Sequence, residues 1–345
     1  MIGFARYRVK ERKMNKNYSR NRSQHKLKGM VTPEKARHHA EVLANSVRNK
    51  YRHLARRFRK ANIECFRLYD WDSKEIRIVV DWYAGHLVVA EYERRQTGEE
   101  YLPQMARAAA GALNVPMEKV YIRKRHTNVE AGLRYGKLSS KGERLVVREG
   151  DLRFLVNLSD YLDTGLFSDH RRTREIIREL AVGKDFLNLF AYTGAFTCAA
   201  ALGKARSTVT VDRSQTYLNW AEENLELNGL SGKGHKLVQA DVMRYLSRAE
   251  KEGQRFDLAF VDPPSFYKEQ SKGIDFDINR DHPELIRKVF KLMRPGSDVF
   301  FSTNHQRFEP RFEELTVKKI IPLTPKTIPE DYRNRRIHQC WRICL

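Results

Sequence analysis

Two kinds of hydrophobic spacing divide the chain. Beyond residue 160, short segments at 185–190, 207–211, 235–239, 256–261 and 297–302 have strand length and are the strand candidates. Alternating with them, at 169–181, 214–228, 241–252 and 281–293, apolar residues recur every three or four positions, the period of a half-buried helix, and 195–203, apolar almost throughout, reads as a buried one. Regular alternation of strand and helix predicts an α/β fold with a doubly wound parallel sheet over 159–345. Residues 63–158 lack that alternation. Runs at 76–80 and 87–92, joined by a turn at Ala84-Gly85, predict a hairpin. A helix over 102–113 and strands near 118–124 and 144–157 complete a smaller α+β domain.

Upstream, Thr32-Pro33-Glu34 has the form of a helix start, with Thr at the N-cap and Pro at the first helical position. The helix expected over 33–62 puts Val42, Val47, Tyr51, Leu54 and Phe58 near one face. Residues 1–32 are rich in Lys, Arg, Asn and Ser with almost no aliphatic period, the composition of a disordered arm. No internal repeat is visible.

Charge narrows the functional class. The 345 residues carry 65 Lys and Arg against 43 Asp and Glu, a formal net charge of +22. Residues 1–60 hold 19 of those bases and 3 of the acids, which is +16 of the total. Such a concentration does not suit an enzyme of small metabolites and fits an extension that meets a polyanion. Off the apolar stripe of the helix stand Arg48, Lys50, Arg52, Arg56, Arg57 and Arg59, with few acids to balance them, and nucleic-acid contact is expected there. Arg123, Lys124 and Arg125, continuing through His126, Arg134 and Lys137 beside Tyr121 and Tyr135, form a second basic patch that an ordinary solvated loop would explain equally well. The four cysteines, Cys65, Cys198, Cys340 and Cys344, form no CxxC pair and no zinc spacing, so reduced thiols and no metal site are expected. No run approaches the roughly 20 apolar residues of a membrane span, and no apolar signal-peptide centre is seen. A cytoplasmic monomer is the expectation.

The chemistry gathers at strand ends. The run 185–190 leads into Ala191-Tyr192-Thr193-Gly194 and then a helix, the first turn of a doubly wound sheet, where a nucleotide-like ligand lies over the backbone. A dinucleotide would want GxGxxG, because a pyrophosphate rests on several amides. One glycine builds no such cradle, and no hydride-transfer partner is present, which argues against a dehydrogenase. S-adenosylmethionine has no phosphate and needs no cradle. Asp212 ends the next strand, 18 residues after Gly194, where an acid can accept hydrogen bonds from both ribose hydroxyls. Asp241 ends the third and can bind the adenine amine, and Asp262-Pro263-Pro264-Ser265-Phe266 ends the fourth. Any one of these acids reads as plainly as a helix N-cap. Three at successive strand ends, with a DPPxF turn, do not.

Four stretches carry a family resemblance: Tyr161-Leu162-Asp163-Thr164-Gly165-Leu166-Phe167-Ser168-Asp169-His170-Arg171; Asn188-Leu189-Phe190-Ala191-Tyr192-Thr193-Gly194; Thr210-Val211-Asp212; and Asn334-Arg335 followed by Ile337-His338. Over roughly 63–345 they resemble class I methyltransferases. Together they look like the guanine-N7 methyltransferase half of the fused bacterial enzymes of large-subunit rRNA, here expected to stand alone behind its own basic extension. The resemblance implies a Rossmann-like sheet, S-adenosylmethionine as cofactor, and as substrate a guanine of 23S rRNA, free or in a large-subunit assembly intermediate. It implies cofactor contacts at Phe167, Asp169 and Arg171, at Asn188 and Phe190, along the turn Tyr192, Thr193 and Gly194, and at Asp212, Asp241 and Asp262. Arg335 would meet RNA. Two departures bear on base contact. Ser302-Thr303-Asn304 leaves only Asn304 where the family has a second Asn, and the motif around Arg333 is one residue shorter.

The target atom is argued from what is missing. Carbon-5 of a pyrimidine needs a cysteine to add at carbon-6 first, and no thiol stands in the DPP turn or after Ser302. An exocyclic amine would use the Pro264 carbonyl and stack on Phe266. Guanine N7 carries a free lone pair and needs alignment rather than a base, with Asp262 offsetting the developing positive charge. Asp262, Pro263, Pro264, Phe266 and Asn304 are therefore the candidate catalytic groups. The residues permit either nitrogen, and the resemblance tips the reading to N7. The competing reading is an RNA-binding assembly factor on the same fold that transfers nothing.

Overall fold

The structure, a computed structural model, describes residues 30–92, 94–125, 139, 141–269 and 274–345. The expected arm therefore lies, up to residue 29, outside the described residues, as do His126, Arg134, Tyr135 and Lys137 of the second basic patch. No described helix is long and apolar enough to cross a membrane.

Helix α1 (Pro33–Lys60) begins as its sequence predicts, the Thr32 hydroxyl accepting the Lys35 N–H at 3.2 Å. Its buried stripe runs through Ala36, His39, Leu43, Val47, Leu54 and Phe58, so Leu43 takes the core place expected of Val42, which is only partly buried. The stripe packs on α2 (Tyr101–Leu113) and on a sheet ordered β1 (Cys65–Asp70), β2 (Ile78–Tyr83), β3 (His86–Tyr92), β4 (Val120–Arg125). The first two pairings are antiparallel, and β3–β4 is parallel because α2 carries the chain back across. The expected single strand over 144–157 is a hairpin, β5 (Leu145–Glu149) and β6 (Leu152–Val156), folded at Gly150-Asp151.

The larger sheet follows from the strand-helix alternation. Its members are β7 (Asp185–Leu189), β8 (Ser207–Asp212), β9 (His235–Gln239), β10 (Phe256–Val261), β13 (Met293–Thr303), β14 (Lys319–Pro322) and β15 (Gln339–Cys344), in the order β14-β15-β13-β10-β7-β8-β9. Every pairing is parallel except the two made by β15. The connecting helices are α3 (Arg171–Leu180), α4 (Ala195–Leu202), α5 (Gln215–Leu227), α6 (Val242–Lys251) and α7 (Ile278–Phe290), and a single turn, α8 (Thr324–Thr327), precedes β15. A hairpin, β11 (Phe266–Glu269) with β12 (Ile274–Asp277), intervenes between β10 and α7 and had no signal in the spacing. α7 starts three residues before the expected 281, capped by Asp277, whose carboxylate takes the Asn279 N–H at 2.8 Å. Strand order reverses between β7 and β10, and ligands of such sheets bind beyond the carboxyl ends of strands at that point.

Candidate cofactor and active site

The turn after β7 is built against local preference. Phe190 and Tyr192 have φ of +56° and +52° and Gly194 +72°, and each non-glycine residue in that region costs roughly 1–2 kcal/mol. Tertiary hydrogen bonds hold it. The Ala191 N–H donates to Val211 O at 3.1 Å, the Tyr192 N–H to Asp212 Oδ2 at 2.9 Å, and Asn224 Nδ2 to Thr193 O at 2.9 Å. The Thr193 hydroxyl donates to Gly165 O at 2.6 Å, tying the turn to the 161–171 stretch. A Cβ on Gly194 would lie 2.6 Å from that of Ala221, so only glycine lets α5 pack this closely.

Over this turn opens a cleft of about 480 Å³, inside the roughly 300–1,000 Å³ range of small-molecule sites. Phe167, Phe190, Tyr192 and Tyr217 line one part of it; Asp262, Pro263, Pro264, Tyr267 and Asn304 line another. The Phe167 and Tyr192 rings lie 5.2 Å apart, and Tyr217 meets Tyr192 edge-on at 4.6 Å. Three acids from successive strand ends reach the cleft, as expected, in three different states. Asp212 takes the Tyr192 and Ser214 amides, and burial raises its pKa while those amides pull it back. Asp241 is also a helix cap: Oδ1 accepts the Arg244 N–H at 3.0 Å, and Oδ2 accepts the Tyr267 hydroxyl at 2.9 Å. Asp262 has no cation beside it among the described residues. Burial pushes its carboxyl up to about 6, Asp169 adding to the shift and His338 opposing it.

Residues 66–322 match the profile of the S-adenosylmethionine-dependent methyltransferases. The chain belongs to that family. It is 44% identical over 310 residues to the ribosomal RNA large subunit methyltransferase K/L of Syntrophotalea carbinolica, a match covering 88% of this chain and 43% of the relative. The chain thus spans less than half the length of this curated relative. Among solved structures, the methyltransferase SMU.776 in complex with S-adenosylhomocysteine superposes with a TM-score of 0.72 at 22% identity, covering 90% of this chain and 82% of that one. An S-adenosylmethionine-dependent methyltransferase from Agrobacterium tumefaciens gives 0.59 at 17% identity, covering 82% and 90%. The fold is that of the class I enzymes, and the cofactor is S-adenosylmethionine. The residues present fit it: a turn without a phosphate cradle, aromatic rings that attract a sulfonium, and an acid at the second strand end.

Within this methyltransferase, several expected cofactor residues stand behind the cleft rather than in it. Asn188 lines it, yet its Nδ2 donates to Thr197 Oγ1 at 3.0 Å beneath. Asp169 accepts from His338 Nδ1 at 2.9 Å; against the cost of burial, His170 and His338 hold it well below the usual carboxylate range. Arg171 does not reach the cleft at all. Its guanidinium is sealed between Asp331, the Cys65 carbonyl and the Phe58 ring, at the joint of the two sheets. Gly194 forms the neck of the turn without lining the cleft, and Phe266, 43% exposed, lies outside it.

Among the expected RNA contacts, Arg123 is corrected. It is 3% exposed, and its guanidinium donates to the Leu158 and Leu162 carbonyls, so it fixes the segment leading to the cleft. Lys50 donates to Asp331 O at 2.6 Å, Arg57 pairs with Glu330 at 3.0 Å, Arg48 donates to Asn45, and Arg125 stands 3.9 Å from Asp163. Arg52, Arg56, Arg59, Lys124 and Arg335 are exposed.

Sequence reasoning missed His170, Arg174, Tyr217 and Tyr267, all of which line the cleft. Arg174 is paired to Glu149 at 2.6 Å and donates to Phe167 O at 3.0 Å, which sets the Phe167 ring. His170 Nε2 lies 3.6 Å from Asp262 Oδ2, and its ring stacks on His338 at 4.2 Å. Burial, with His338 alongside, pushes His170 down to about 3, so it is neutral at pH 7. Donor atoms of Asp169, His170 and His338 lie within 4.8 Å of one another. However, His338 spends its second nitrogen on Thr327 at 2.9 Å, and two parallel rings do not converge on one ion. A signal existed: His170 and His338 both fall inside the quoted family-like stretches.

Proposed function

We propose that this chain transfers a methyl group from S-adenosylmethionine to guanine N7 in large-subunit ribosomal RNA. The observation that carries the substrate class is the 44% identity to a relative named for large-subunit rRNA; the net charge of +22 supports it. The cofactor supplies an electrophilic methyl on a sulfonium. Asp212 would hold the ribose hydroxyls and Asp241 the adenine amine with the lone pairs their backbone and Tyr267 partners leave free. Phe167 and Tyr192 would flank the sulfonium. The DPP turn is tied to the end of β13 by Ser265 Oγ donating to Asn304 Oδ1 at 3.2 Å, so Pro263, Pro264 and Asn304 would position the base edge as one unit. N7 attacks through its own lone pair, and the ionised Asp262 offsets the charge that grows on the purine. Exposed Phe266 would stack on the base, and the exposed arginines of α1 would hold phosphates.

The raised pKa of Asp262 favours a second reading, in which it accepts the proton of an exocyclic amine. The two separate cleanly. RNA methylated in vitro with a tritiated donor, digested to nucleosides and resolved by mass spectrometry, should yield 7-methylguanosine, and the labelled strand should break at that base after borohydride and aniline. Label on N2 or N6 instead would replace the N7 reading.

A further inference from the structure

An exposed loop links the cleft to an aromatic platform on the small sheet. Arg333 to Arg336, between α8 and β15, are all exposed. At one end the loop is tied to the cleft's rim: Arg336 Nη2 donates to Gln306 O at 3.2 Å, and Gln306 Nε2 donates back to Arg336 O at 2.9 Å and to Asn304 O at 3.2 Å. Asn304 lines the cleft. At the other end the loop is tied to the tip joining β1 and β2. The Asn334 N–H donates to Asp70 Oδ2 at 2.7 Å, and the Arg333 guanidinium donates to the Asp72 carbonyl.

Between those two acids stands Trp71. It is 38% exposed and held at φ +52°, a conformation that bulky residues avoid. Its N–H donates to Ile78 O at 3.0 Å. Its ring stacks on Tyr92 at 5.8 Å, with the Arg77 guanidinium 4.8 Å from its centre. The Tyr92 N–H donates to Arg77 O at 3.1 Å, so those two residues oppose each other across the strands and stand on one face of the sheet. Ile78 and Val80 belong to the core under α1 and α2, so by strand alternation Arg77 faces the other way. That is the face of Arg67 and Asp81, which meets Asp331 of the same C-terminal loop. A strained, half-open tryptophan backed by tyrosine and arginine has the composition of a base-stacking platform. A run of exposed guanidinium groups leading from it to the cleft rim has the composition of a phosphate track.

We propose that Trp71, backed by Tyr92 and Arg77, stacks an unpaired nucleotide that flanks the target, with Arg333 and Arg336 holding the backbone between. This rests on the reading of the substrate as RNA. Unpaired RNA is the favoured partner because stacking needs an exposed base face, which a duplex does not offer.

The test uses the full chain, in vitro transcribed 23S rRNA and a labelled unstructured RNA oligonucleotide as probes. Trp71→Ala should weaken oligonucleotide binding by roughly 5- to 150-fold, the range of one base–aromatic stack, with the salt dependence unchanged. Trp71→Tyr, which keeps a ring, should recover most of it. Arg333→Ala with Arg336→Ala should lower the slope of log affinity on log salt by about 0.7 per lost phosphate contact. Titration with S-adenosylhomocysteine should match wild type in every variant, which certifies the fold. Equal RNA affinity in wild type and Trp71→Ala would overturn the platform while leaving the RNA reading intact. A wild-type protein that binds and methylates no RNA would overturn both. If Trp71→Ala binds naked RNA normally and loses affinity only for large-subunit particles, the surface takes a protein and the proposal fails.

Discussion

Replacing Asp212 by Ala probes the cofactor site at one atom group with two separable jobs. Its carboxylate accepts the Tyr192 N–H and the Ser214 N–H, both at 2.9 Å, leaving about two of its four acceptor positions for ribose hydroxyls. A hydrogen bond to a charged group contributes roughly 1.5–3 kcal/mol, and each 1.4 kcal/mol is about tenfold in affinity. Loss of one such bond should therefore weaken S-adenosylhomocysteine binding at least about tenfold, and loss of two more than about a hundredfold. The substitution also strands two amides, at about 1–3 kcal/mol for each one left buried. One belongs to Tyr192, already held at φ +52°. Against a typical stability of about 5–15 kcal/mol, the variant should remain folded and melt at lower urea. Asp212→Asn separates the jobs: it keeps one backbone acceptor and loses the charge, so it should recover stability more than affinity. Because burial raises the pKa of Asp212, wild-type affinity should weaken as pH falls into the carboxylate range, and that dependence should vanish in Asp212→Asn. Titration calorimetry with S-adenosylhomocysteine, paired with urea melts, reads both quantities. A folded Asp212→Ala that binds with wild-type affinity would refute the assignment.

Three further expectations follow from the same geometry. Asp262→Asn should lower kcat with little change in cofactor affinity and should abolish the loss of wild-type rate as pH drops through about 6; a rate independent of pH between 5 and 8 in the wild type would contradict the ionised role. The folded pKa of Asp262 lies above its unfolded value, so its ionisation opposes folding above pH 6, and Asp262→Asn should be at least as stable as wild type at pH 7.5, with the difference fading below pH 4. Cys198→Ala and Cys340→Ala should keep methyl transfer, since both thiols are buried, Cys198 pushed up to about 12 and Cys340 higher still; a folded variant without activity would revive covalent attack on a pyrimidine. Gly165→Ala should destabilise by roughly 2–5 kcal/mol in a urea melt, from left-handed strain plus overpacking, because φ is +94° and a Cβ would lie 2.3 Å from the Trp220 ring; a change below about 0.5 kcal/mol would mean the loop relocates freely.

What was legible in the sequence depended on whether the signal was local. The strands at 235–239 and 256–261 coincide with β9 and β10 because each is a strand-length segment bounded by turns and set between two helices. The three acids reached the cleft because strand ends in this architecture converge on one edge. Arg171 was misplaced for a reason no spacing reveals. Its stretch supplies cleft-lining rings, Tyr161, Phe167 and His170, and one structural cation, and only the partner Asp331, 160 positions away, tells them apart. Arg123 likewise looked like part of a surface charge run, and its carbonyl acceptors at 158 and 162 are what bury it. Tyr267 stands three residues past the proline pair, but its role depends on the β11–β12 hairpin, which carries too few apolar residues to announce itself.

The contrast between the buried Asp331 and the desolvated, cleft-lining Asp262 separates scaffold from chemistry. Asp331 is fully buried; burial raises its pKa, and Arg171, the Arg67 amide and its own loop pull it back, so its charge is spent before any ligand arrives. Asp262 is also desolvated, but its nearest described charge partner is an imidazole held neutral, and the negative Asp169 stands behind. A carboxylate already paired to an arginine would gain little from a cation forming nearby. An unpaired one in a desolvated floor is costly in the resting protein and repaid only as positive charge develops within reach, which is the differential stabilisation that lowers a barrier. His338 serves that arrangement from 169 positions away: it bonds Asp169 with one nitrogen and Thr327 with the other and stacks on His170, which stays neutral 3.6 Å from Asp262 and gives it no counter-ion. His338→Gln should therefore bind the cofactor normally yet shift the acidic limb of the rate profile, whereas a purely structural histidine would lower stability and leave that limb in place.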